Sequence, residues 1–288
     1  MERKKHAMNA ITVKDLTVRF GETVALDNVS VAFGENRIYG LLGRNGAGKS
    51  TLMNAVTNRL FPEMGEVLID GEPAMENDRA QGKIFCMGEK NYLPDSTTVR
   101  QMFRWTADFY PGFDQEYAER LAGEFGLEVR KKLRGLSTGY LTISKLIAAL
   151  ACPAPYVIFD EPVLGLDANH RELFYRRLIE NYAARPRTVI ISTHLIEEIA
   201  DIVEQVVIIK KGRILLDKPT EEVKAMGYAV SGKAAAVDAF CAGREVLDVE
   251  TLGGLKTACI LGKAENVPEE LELSRLDLQK LFIRLTNA

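Results

Sequence analysis

Hydrophobic positions along the chain fall into short strand-like runs separated by helical patterns. From Ile11 to Phe20, apolar and polar residues alternate at period two, which predicts a strand. Uninterrupted apolar runs are typical of buried parallel strands. The predicted strands lie at residues 38–42, 65–71, 84–87, 156–159 and 188–192, and helical patterns lie from Lys49 to before Pro62, over 99–125 and over 169–182. Strands alternating with helices indicate an α/β fold with a largely parallel sheet.

The pattern changes towards the end of the chain. Residues 205–217 predict a hairpin around a Lys-Gly turn. Residues 228–288 then predict a strand, a helix, two strands and a closing helix over 276–285. We therefore expect a main domain over residues 11–219 and a small α+β C-terminal appendage over residues 220–288.

The composition is that of a globular protein without a strong charge bias. The 288 residues include 37 Lys and Arg and 40 Asp and Glu, so the formal net charge is −3. This balance lacks the broad basic field that nucleic-acid binding needs, and no nucleic-acid partner is expected. The four cysteines, at positions 86, 152, 241 and 259, form no C-x-x-C pair. Free thiols in a reducing compartment fit this spacing better than disulfides or a zinc site.

The apolar segments are too short to predict a membrane span, which needs about 20 consecutive residues. The longest uncharged apolar stretch, residues 146–159, is interrupted by two prolines. The charged segment 1–6 leads into no apolar signal core, so export is not expected. These features predict a cytoplasmic protein.

A glycine-rich segment carries the clearest chemistry. Residues 43–50 read Gly-Arg-Asn-Gly-Ala-Gly-Lys-Ser, which fits the phosphate-loop pattern G-x-x-x-x-G-K-[ST] between a predicted strand and a predicted helix. Glycines let backbone N–H groups converge on phosphate oxygens, and the helix N-terminus adds partial positive charge. Lys49 is expected to reach the β- and γ-phosphates, and the Ser50 hydroxyl to ligate Mg²⁺. A glycine-rich turn without a ligand is the alternative.

An acidic pair narrows the chemistry further. The predicted strand at residues 156–159 delivers Asp160 and Glu161 at its carboxyl end, where α/β sheets bind their ligands. Asp160 is expected to hold the Mg²⁺ shell, and Glu161 to act as the general base that polarises water for attack on the γ-phosphate. The alternative, an ordinary acidic helix cap, is disfavoured by the phosphate loop in the same chain.

Several further segments follow in a fixed order. They are Phe20 upstream of the phosphate loop, Leu136-Ser137-Thr138-Gly139-Tyr140 ahead of a helix, Gly165-Leu166-Asp167 after Glu161, and His194 after the strand at 188–192. With this set and spacing, the chain resembles the ATP-binding subunit of an ABC transporter over about residues 11–218. The segment at 136–140 sits where that family has its signature, and Gly165 to Asp167 sit where it has its D-loop.

The resemblance implies a P-loop NTPase of the ABC ATPase type. Its fold would contain a mainly parallel sheet core, an antiparallel β subdomain and a helical subdomain, and ATP and Mg²⁺ would be its cofactors. Catalytic roles are implied for Lys49, Glu161 and His194. The implied nucleotide-binding residues are Phe20, Gly43, Arg44, Asn45, Gly46, Ala47, Gly48, Lys49, Ser50, Thr51, Ser137, Gly139 and Asp167, and the implied metal-binding residues are Ser50, Asp160 and Glu89.

Plainer interpretations exist for single residues of this set. Phe20 could stack on adenine or complete an alternating strand as a core residue. Ser137 could contact the γ-phosphate of a nucleotide held by a second subunit, cap its own helix, or do both. His194 could sense the γ-phosphate or be structural. Thr138, Tyr140 and Glu89 depart from the family pattern, where glycine, glutamine and glutamine are usual. These departures leave Lys49, Asp160, Glu161 and His194 in place.

A run of aromatic residues follows Glu89. It comprises Phe103, Trp105, Phe109, Tyr110 and Phe113, with the apolar Met102 at its start. In the family this helical region forms the groove that receives a coupling helix of the membrane subunit. Aromatic residues at helical spacing are more often core residues, and this alternative is preferred.

The leading functional hypothesis is an ATP-hydrolysing subunit that couples closure of an ATP-bound dimer to transport. Its expected partners are a separate transmembrane permease and a second ATP-binding subunit, identical or related, at the inner face of the cell membrane. The appendage and residues 107–114 resemble exporter-type subunits. One alternative is a regulatory or weakly hydrolysing clamp paired with a more active subunit. Another is a soluble ABC ATPase that acts on ribosomes or DNA.

Overall fold

The computed structural model describes residues 10–287, which form fourteen strands, ten α-helices and a short 3-10 helix at Leu133–Gly135. The strands are β1 Ala10–Phe20, β2 Thr23–Gly34, β3 Ile38–Leu42, β4 Met64–Ile69, β5 Glu72–Pro73, β6 Ile84–Met87, β7 Tyr156–Asp160, β8 Thr188–Thr193, β9 Gln205–Lys210, β10 Arg213–Pro219, β11 Gly227–Lys233, β12 Val246–Leu252, β13 Leu255–Leu261 and β14 Glu272–Arg275. The helices are α1 Lys49–Val56, α2 Asp78–Gln81, α3 Val99–Phe109, α4 Gln115–Glu124, α5 Thr138–Ala151, α6 Ala168–Ala184, α7 Ile196–Ile199, α8 Thr220–Lys224, α9 Ala234–Cys241 and α10 Leu278–Asn287. The charged segment 1–6 lies outside the described residues.

A six-stranded sheet forms the centre of the molecule. Its order is β10-β9-β3-β8-β7-β6, and all neighbours except β9 and β10 run parallel. Every residue of β3 and β8 is buried, which explains their uninterrupted apolar or small composition. Because β8 lies between β3 and β7, the segments that follow these three strands emerge at one edge of the sheet.

A second, antiparallel sheet has the order β2-β1-β4-β5. The pattern analysis did not predict β2, although it is the longest of these strands. Its buried residues include Leu26 and Val29, three positions apart, and Asn28 between them has a positive φ of 51°. The pairing of β1 with β2 is irregular near this point. This irregularity interrupts the period-two alternation by which a strand is recognised.

The helical region predicted over residues 99–125 consists of two helices, α3 and α4. Pro111 and Gly112 lie in the break between them, and Gly112 has a φ of 92°. Each helix begins with its own cap, because Thr98 accepts from Gln101 N and Asp114 accepts from Tyr117 N. The prediction of one helical region therefore covers two separately capped helices.

The C-terminal residues 220–287, which the sequence predicts to be an appendage, contain a third sheet, of order β12-β13-β11-β14, with α9 packed against it. The sequence pattern predicted three strands here, and β14 is a fourth. All four residues of β14 are exposed, so this strand has no hydrophobic alternation that could have predicted it. The closing helix α10 begins at Leu278, two residues later than predicted.

The appendage packs directly on the rest of the chain. Leu278, Leu281 and Phe282 of α10 belong to the same hydrophobic cluster as Ile196 and Ile199 of α7. At the other end of α10, Lys210 Nζ donates to the carbonyl oxygen of Leu285 at 3.1 Å. Within residues 10–287, none of the helices is both long enough and apolar enough to cross a membrane.

Candidate functional site

The loop between β3 and α1 lies tightly against two strands. A Cβ at Gly43 would lie 2.8 Å from the carbonyl oxygen of Ile209 in β9, and one at Gly48 would lie 2.9 Å from that of Ala25 in β2. Gly46 and Gly48 have φ angles of 77° and 113°, which favour glycine. The glycines therefore shape this loop, while Arg44, Asn45 and Gly46 at its tip are exposed.

Lys49 begins α1 and extends back into this loop. Its side chain is buried, and Nζ donates to the carbonyl oxygen of Gly43 at 2.6 Å. Glu161 Oε1 lies 3.9 Å from the same nitrogen. Burial lowers the pKa of Lys49, and the charges of Glu161 and Asp160 oppose this shift. Ser50, next in the helix, is exposed, Thr51 is half-buried and Ala47 is buried.

The acidic pair lies at the carboxyl end of β7. Ser192 Oγ donates to Asp160 Oδ1 at 2.8 Å. Burial raises the pKa of Asp160, while hydrogen bonds from Ser192 and Ser50 lower it. Glu161 has a positive φ of 49°, and its backbone N donates to the carbonyl oxygen of Ser192 at 2.8 Å. The chain therefore turns sharply at Glu161 while remaining bonded to β8.

His194 follows β8 and meets Glu161 across the sheet edge. Its Nδ1 lies 2.9 Å from Glu161 Oε2, and Thr193 Oγ1 donates to the same oxygen at 3.3 Å. Lys49, Asp160, Glu161 and His194, four of the residues selected from the sequence, are thus brought together. Sequence analysis assigned no role to Ser192 or Thr193, which hold the two carboxylates. The sequence signal that could have identified them is a pair of hydroxyl residues at the carboxyl end of a buried strand.

The segment that resembles a signature lies against a different loop. Ser137 caps α5 by accepting from Tyr140 N at 3.3 Å, and it is exposed. A Cβ at Gly139 would lie 2.8 Å from the carbonyl oxygen of Gly165. Thr142 Oγ1 donates to the carbonyl oxygen of Leu164 at 3.3 Å. The start of α5 therefore packs on the loop at residues 164–167.

Asp167 ends that loop and caps α6. Its carboxylate accepts from His170 N at 2.9 Å and lies 2.9 Å from His170 Nδ1. The hydrogen bond from the His170 backbone is the main cause that lowers the pKa of Asp167. Among the described contacts, none joins Ser137, Gly139 or Asp167 to the cluster around Lys49. The structure thus contains two separate groups of the selected residues.

Two further selected residues lie on exposed segments. Phe20 pairs with Thr23 at the end of the β1–β2 hairpin and is 53% exposed, so the core interpretation of Phe20 is wrong. Glu89 is exposed after β6, where Lys145 Nζ donates to its carbonyl oxygen at 2.6 Å and to that of Gly88 at 3.1 Å. Burial lowers the pKa of Lys145. Over residues 10–287, the structure contains no cluster of three or more His, Cys, Asp or Glu side chains that could hold a metal ion.

The aromatic run divides between the core and the surface. Met102, Phe103 and Phe113 are buried, as the preferred core interpretation requires. Trp105 is 38% exposed and Phe109 is 81% exposed, and both line a groove of about 680 Å³. The core interpretation is therefore correct for one face of this region and wrong for the other.

Comparisons with known proteins agree with these motifs. Residues 26–164 match the family model described as ABC transporter. The ATP-binding protein YtrB of Bacillus subtilis is 30% identical over 189 residues, which are 66% of this chain and 65% of YtrB. The probable multidrug ATP-binding protein YbhF of Escherichia coli is 31% identical over 224 residues, which are 75% of this chain and 38% of YbhF. The chain thus spans less than two thirds of the length of either relative.

Solved structures show the same fold. The ATP-binding subunit of an ABC transporter aligns with a TM-score of 0.68 and 25% identity, over 75% of this chain and 92% of that one. A bacterial ABC transporter cassette solved as a dimer aligns with a TM-score of 0.65 and 24% identity, over 73% of this chain and 98% of that one. The predicted α/β fold with sheet core, antiparallel β part and helical part is confirmed.

Proposed function

We propose that this chain, which is similar to ABC transporter ATP-binding proteins, hydrolyses ATP with Mg²⁺ to drive transport by a separate membrane subunit. The observation that carries this proposal is the convergence of Lys49, Asp160, Glu161 and His194 at one edge of the central sheet. A cation, two carboxylates and an imidazole are the groups that binding and hydrolysis of a triphosphate require.

The phosphate loop fits the triphosphate of ATP. The exposed tip at residues 44–46 presents backbone N–H groups, and α1 adds the partial positive charge of its N-terminus. Lys49 is directed into the loop and would exchange its bond with Gly43 for phosphate oxygens. Gly43 through Thr51 would thus bind the phosphates, and the exposed ring of Phe20 would stack on adenine.

Mg²⁺ fits the oxygen donors beside the loop. The Ser50 hydroxyl and the Asp160 carboxylate would hold the ion, since hard cations prefer such ligands. Asp160 is already oriented by Ser192. When bound, the ion neutralises charge on the phosphates. Glu89 would complete the metal-binding set from the loop after β6.

Glu161 would act as the general base. Its carboxylate takes a proton from water as the water oxygen bonds to the γ-phosphorus and the bond to the β-phosphate oxygen breaks, which releases ADP and phosphate. The contacts of Thr193 and His194 with Oε2 orient this carboxylate. His194, 44% exposed, would also contact the γ-phosphate.

The second group of residues would act on a different nucleotide. Ser137, Gly139 and Asp167 make no described contact with the cluster around Lys49 and would contact ATP held by a second ATP-binding subunit. The solvent-exposed Trp105 and Phe109 would contact the permease, and the protein would then act at the inner face of the membrane. Residues 11–219 would form the ATPase domain, and residues 220–288 would form an appendage of unassigned role.

Substitution of the proposed base tests this function. Glu161→Gln should lower the turnover of Mg-ATP by about 100-fold, because the amide cannot take a proton. Binding of a fluorescent ATP analogue should stay within about threefold, because Lys49 and the loop are intact. Glu128→Gln, at an exposed position, is the matched control and should leave turnover unchanged. Equal turnover in the Glu161 variant and the wild type would reject the function proposed for Glu161.

A further inference from the structure

One arginine connects the loop at residues 164–167 with the helix that follows His194. Arg171 lies in the first turn of α6, and its Nε donates to the carbonyl oxygen of Leu166 at 2.9 Å. Its NH1 donates to Glu198 Oε1 in α7 at 2.7 Å. A single guanidinium therefore bonds to both segments, which its planar set of donors makes possible.

The helix at the other end of this link has little stability of its own. α7 spans only Ile196–Ile199 and has no side-chain cap at its start. A helix of one turn depends on tertiary contacts, because nucleation is unfavourable. Besides the packing of Ile196 and Ile199, the bond from Arg171 to Glu198 is the side-chain link that fixes α7 to α6.

The Glu198 carboxylate depends on Arg171 in particular. Its second oxygen, Oε2, is buried without a hydrogen-bond partner, and so is the hydroxyl of Tyr175 one turn further along α6. Burial raises the pKa of Tyr175, and the charge and proximity of Glu198 raise it further. Arg171 is the cationic donor to Glu198, and its bond to Oε1 ties this carboxylate to α6.

These contacts form one continuous path between the two groups of selected residues. Gly139 and Thr142 pack on the loop at 164–166, Arg171 joins that loop to α7, and His194 just before α7 contacts Glu161. We propose that Arg171 is a positioning residue that makes the 164–167 loop and His194 respond together. Contact of a partner subunit with the loop would then set the His194–Glu161 geometry. This inference rests on the function proposed above.

Arg171→Ala tests the link, and Arg177→Ala is its matched control. Arg177 lies on the same helix and also bonds two carboxylates, Glu124 and Glu180, but neither belongs to the site. Arg171→Ala should lower kcat for Mg-ATP about tenfold with KM within about twofold, because substrate binding is untouched. Arg171→Lys should recover only part of the loss, since one ammonium does not reproduce both bonds. Equal kcat in the Arg171 and Arg177 variants would overturn the proposal.

A double-mutant cycle shows whether Arg171 acts through His194. In the His194→Ala background, Arg171→Ala should change kcat by less than about twofold, because the group it positions is gone. An undiminished tenfold loss in that background would mean that Arg171 acts by another route, and the proposal would fail. Thermal unfolding of each variant identifies any loss that arises from the fold alone.

The imidazole signals of His194 in proton NMR give a readout that needs no hydrolysis. The signals are assigned with His194→Ala, and their chemical shifts at one fixed pH are compared between variants. Arg171→Ala should shift these signals, because the contact of the ring with Glu161 changes, and Arg177→Ala should not. If the wild type lacks ATPase activity but the shift is present, the proposed function fails and the link stands. If the wild type is active and the shift is absent, the link fails.

Discussion

The two groups of selected residues differ in how their side chains are engaged. Around Lys49, each ionisable side chain already has a side-chain partner: the ammonium faces Glu161, Glu161 faces His194, and Asp160 accepts a hydrogen bond from Ser192. Around Ser137 the side chains cap their own helices, and the Ser137 hydroxyl and Asp167 carboxylate remain exposed. The first group can organise a ligand within one chain, whereas the second has surface suited to a ligand that another chain supplies.

This difference predicts that substitutions in the two groups have different consequences. Changes near Lys49 should act on the nucleotide that the same chain binds. Changes near Ser137 should act on turnover only when two chains meet. Arg171 lies between the groups. Its substitution should leave ATP binding by the single chain nearly unchanged, as in the second group, and should lower turnover, as in the first.

The largest effect is expected at Lys49. Lys49→Ala removes the buried cation of the loop and should lower turnover by more than about 100-fold, with ATP affinity reduced about tenfold or more. Titration with a fluorescent ATP analogue and a phosphate-release assay measure the two effects. Lys224→Ala, whose side chain is also mostly buried and pairs with Asp201, is the control. Retained affinity in the Lys49 variant would show that the loop is not the phosphate site.

A mixture of two variants tests whether the groups act across chains. Ser137→Ala alone should lower turnover about tenfold with monomer affinity nearly unchanged, since one γ-phosphate donor is lost. Mixed with Lys49→Ala chains, it should give turnover above the average of the two separate variants. The reason is that one site of a mixed dimer combines an intact loop with an intact Ser137. Turnover at the average, despite dimers detected by light scattering, would contradict action across the interface.

A smaller effect, mainly on stability, is expected at Gly139. Gly139→Ala would place a Cβ 2.8 Å from the carbonyl oxygen of Gly165, so the 164–167 loop must shift. The cost should be about 1–3 kcal/mol, as for other overpacked sites. Gly135→Ala, whose Cβ would meet open space, should leave the unfolding temperature nearly unchanged. Equal unfolding temperatures of the two variants would mean that the loop tolerates the shift.

The smallest effect is expected at Phe20. Loss of its exposed ring in Phe20→Ala should raise the KM for ATP about fivefold, near the lower end of base–aromatic stacking. Phe20→Tyr should restore the KM, and Phe61→Ala, at a similarly exposed phenylalanine, should not change it. An unchanged KM in Phe20→Ala would remove Phe20 from the nucleotide-binding set.

The phosphate loop and the acidic pair could be predicted because their signals are local. A buried strand, a glycine turn and a helix start lie within about fifteen residues, and each has its own pattern. The strand β2 was missed because its irregular step at Asn28 breaks the alternation. Likewise, β14 was missed because all of its residues are exposed and it is held in its sheet by backbone bonds with β11.

The supports of the site could not be predicted, because their partners lie far apart in the sequence. Ser192 meets Asp160, and Arg171 meets Glu198, only after β7, β8 and α6 are packed. Neither pair has a spacing that a periodic pattern reveals. The aromatic run could be predicted only in part. Its spacing predicted a helix with a core face, but only the packing shows which rings remain at the surface.

The contact between α10 and α7 has a consequence for how the molecule unfolds. Because α10 and α7 share one apolar cluster, removal of the last helix would leave Ile196 and Ile199 facing water beside His194. We therefore expect residues 220–287 to unfold together with the sheet edge that carries His194. Heating should produce one cooperative transition, and amide protons in α7 and α10 should exchange with solvent at matching rates.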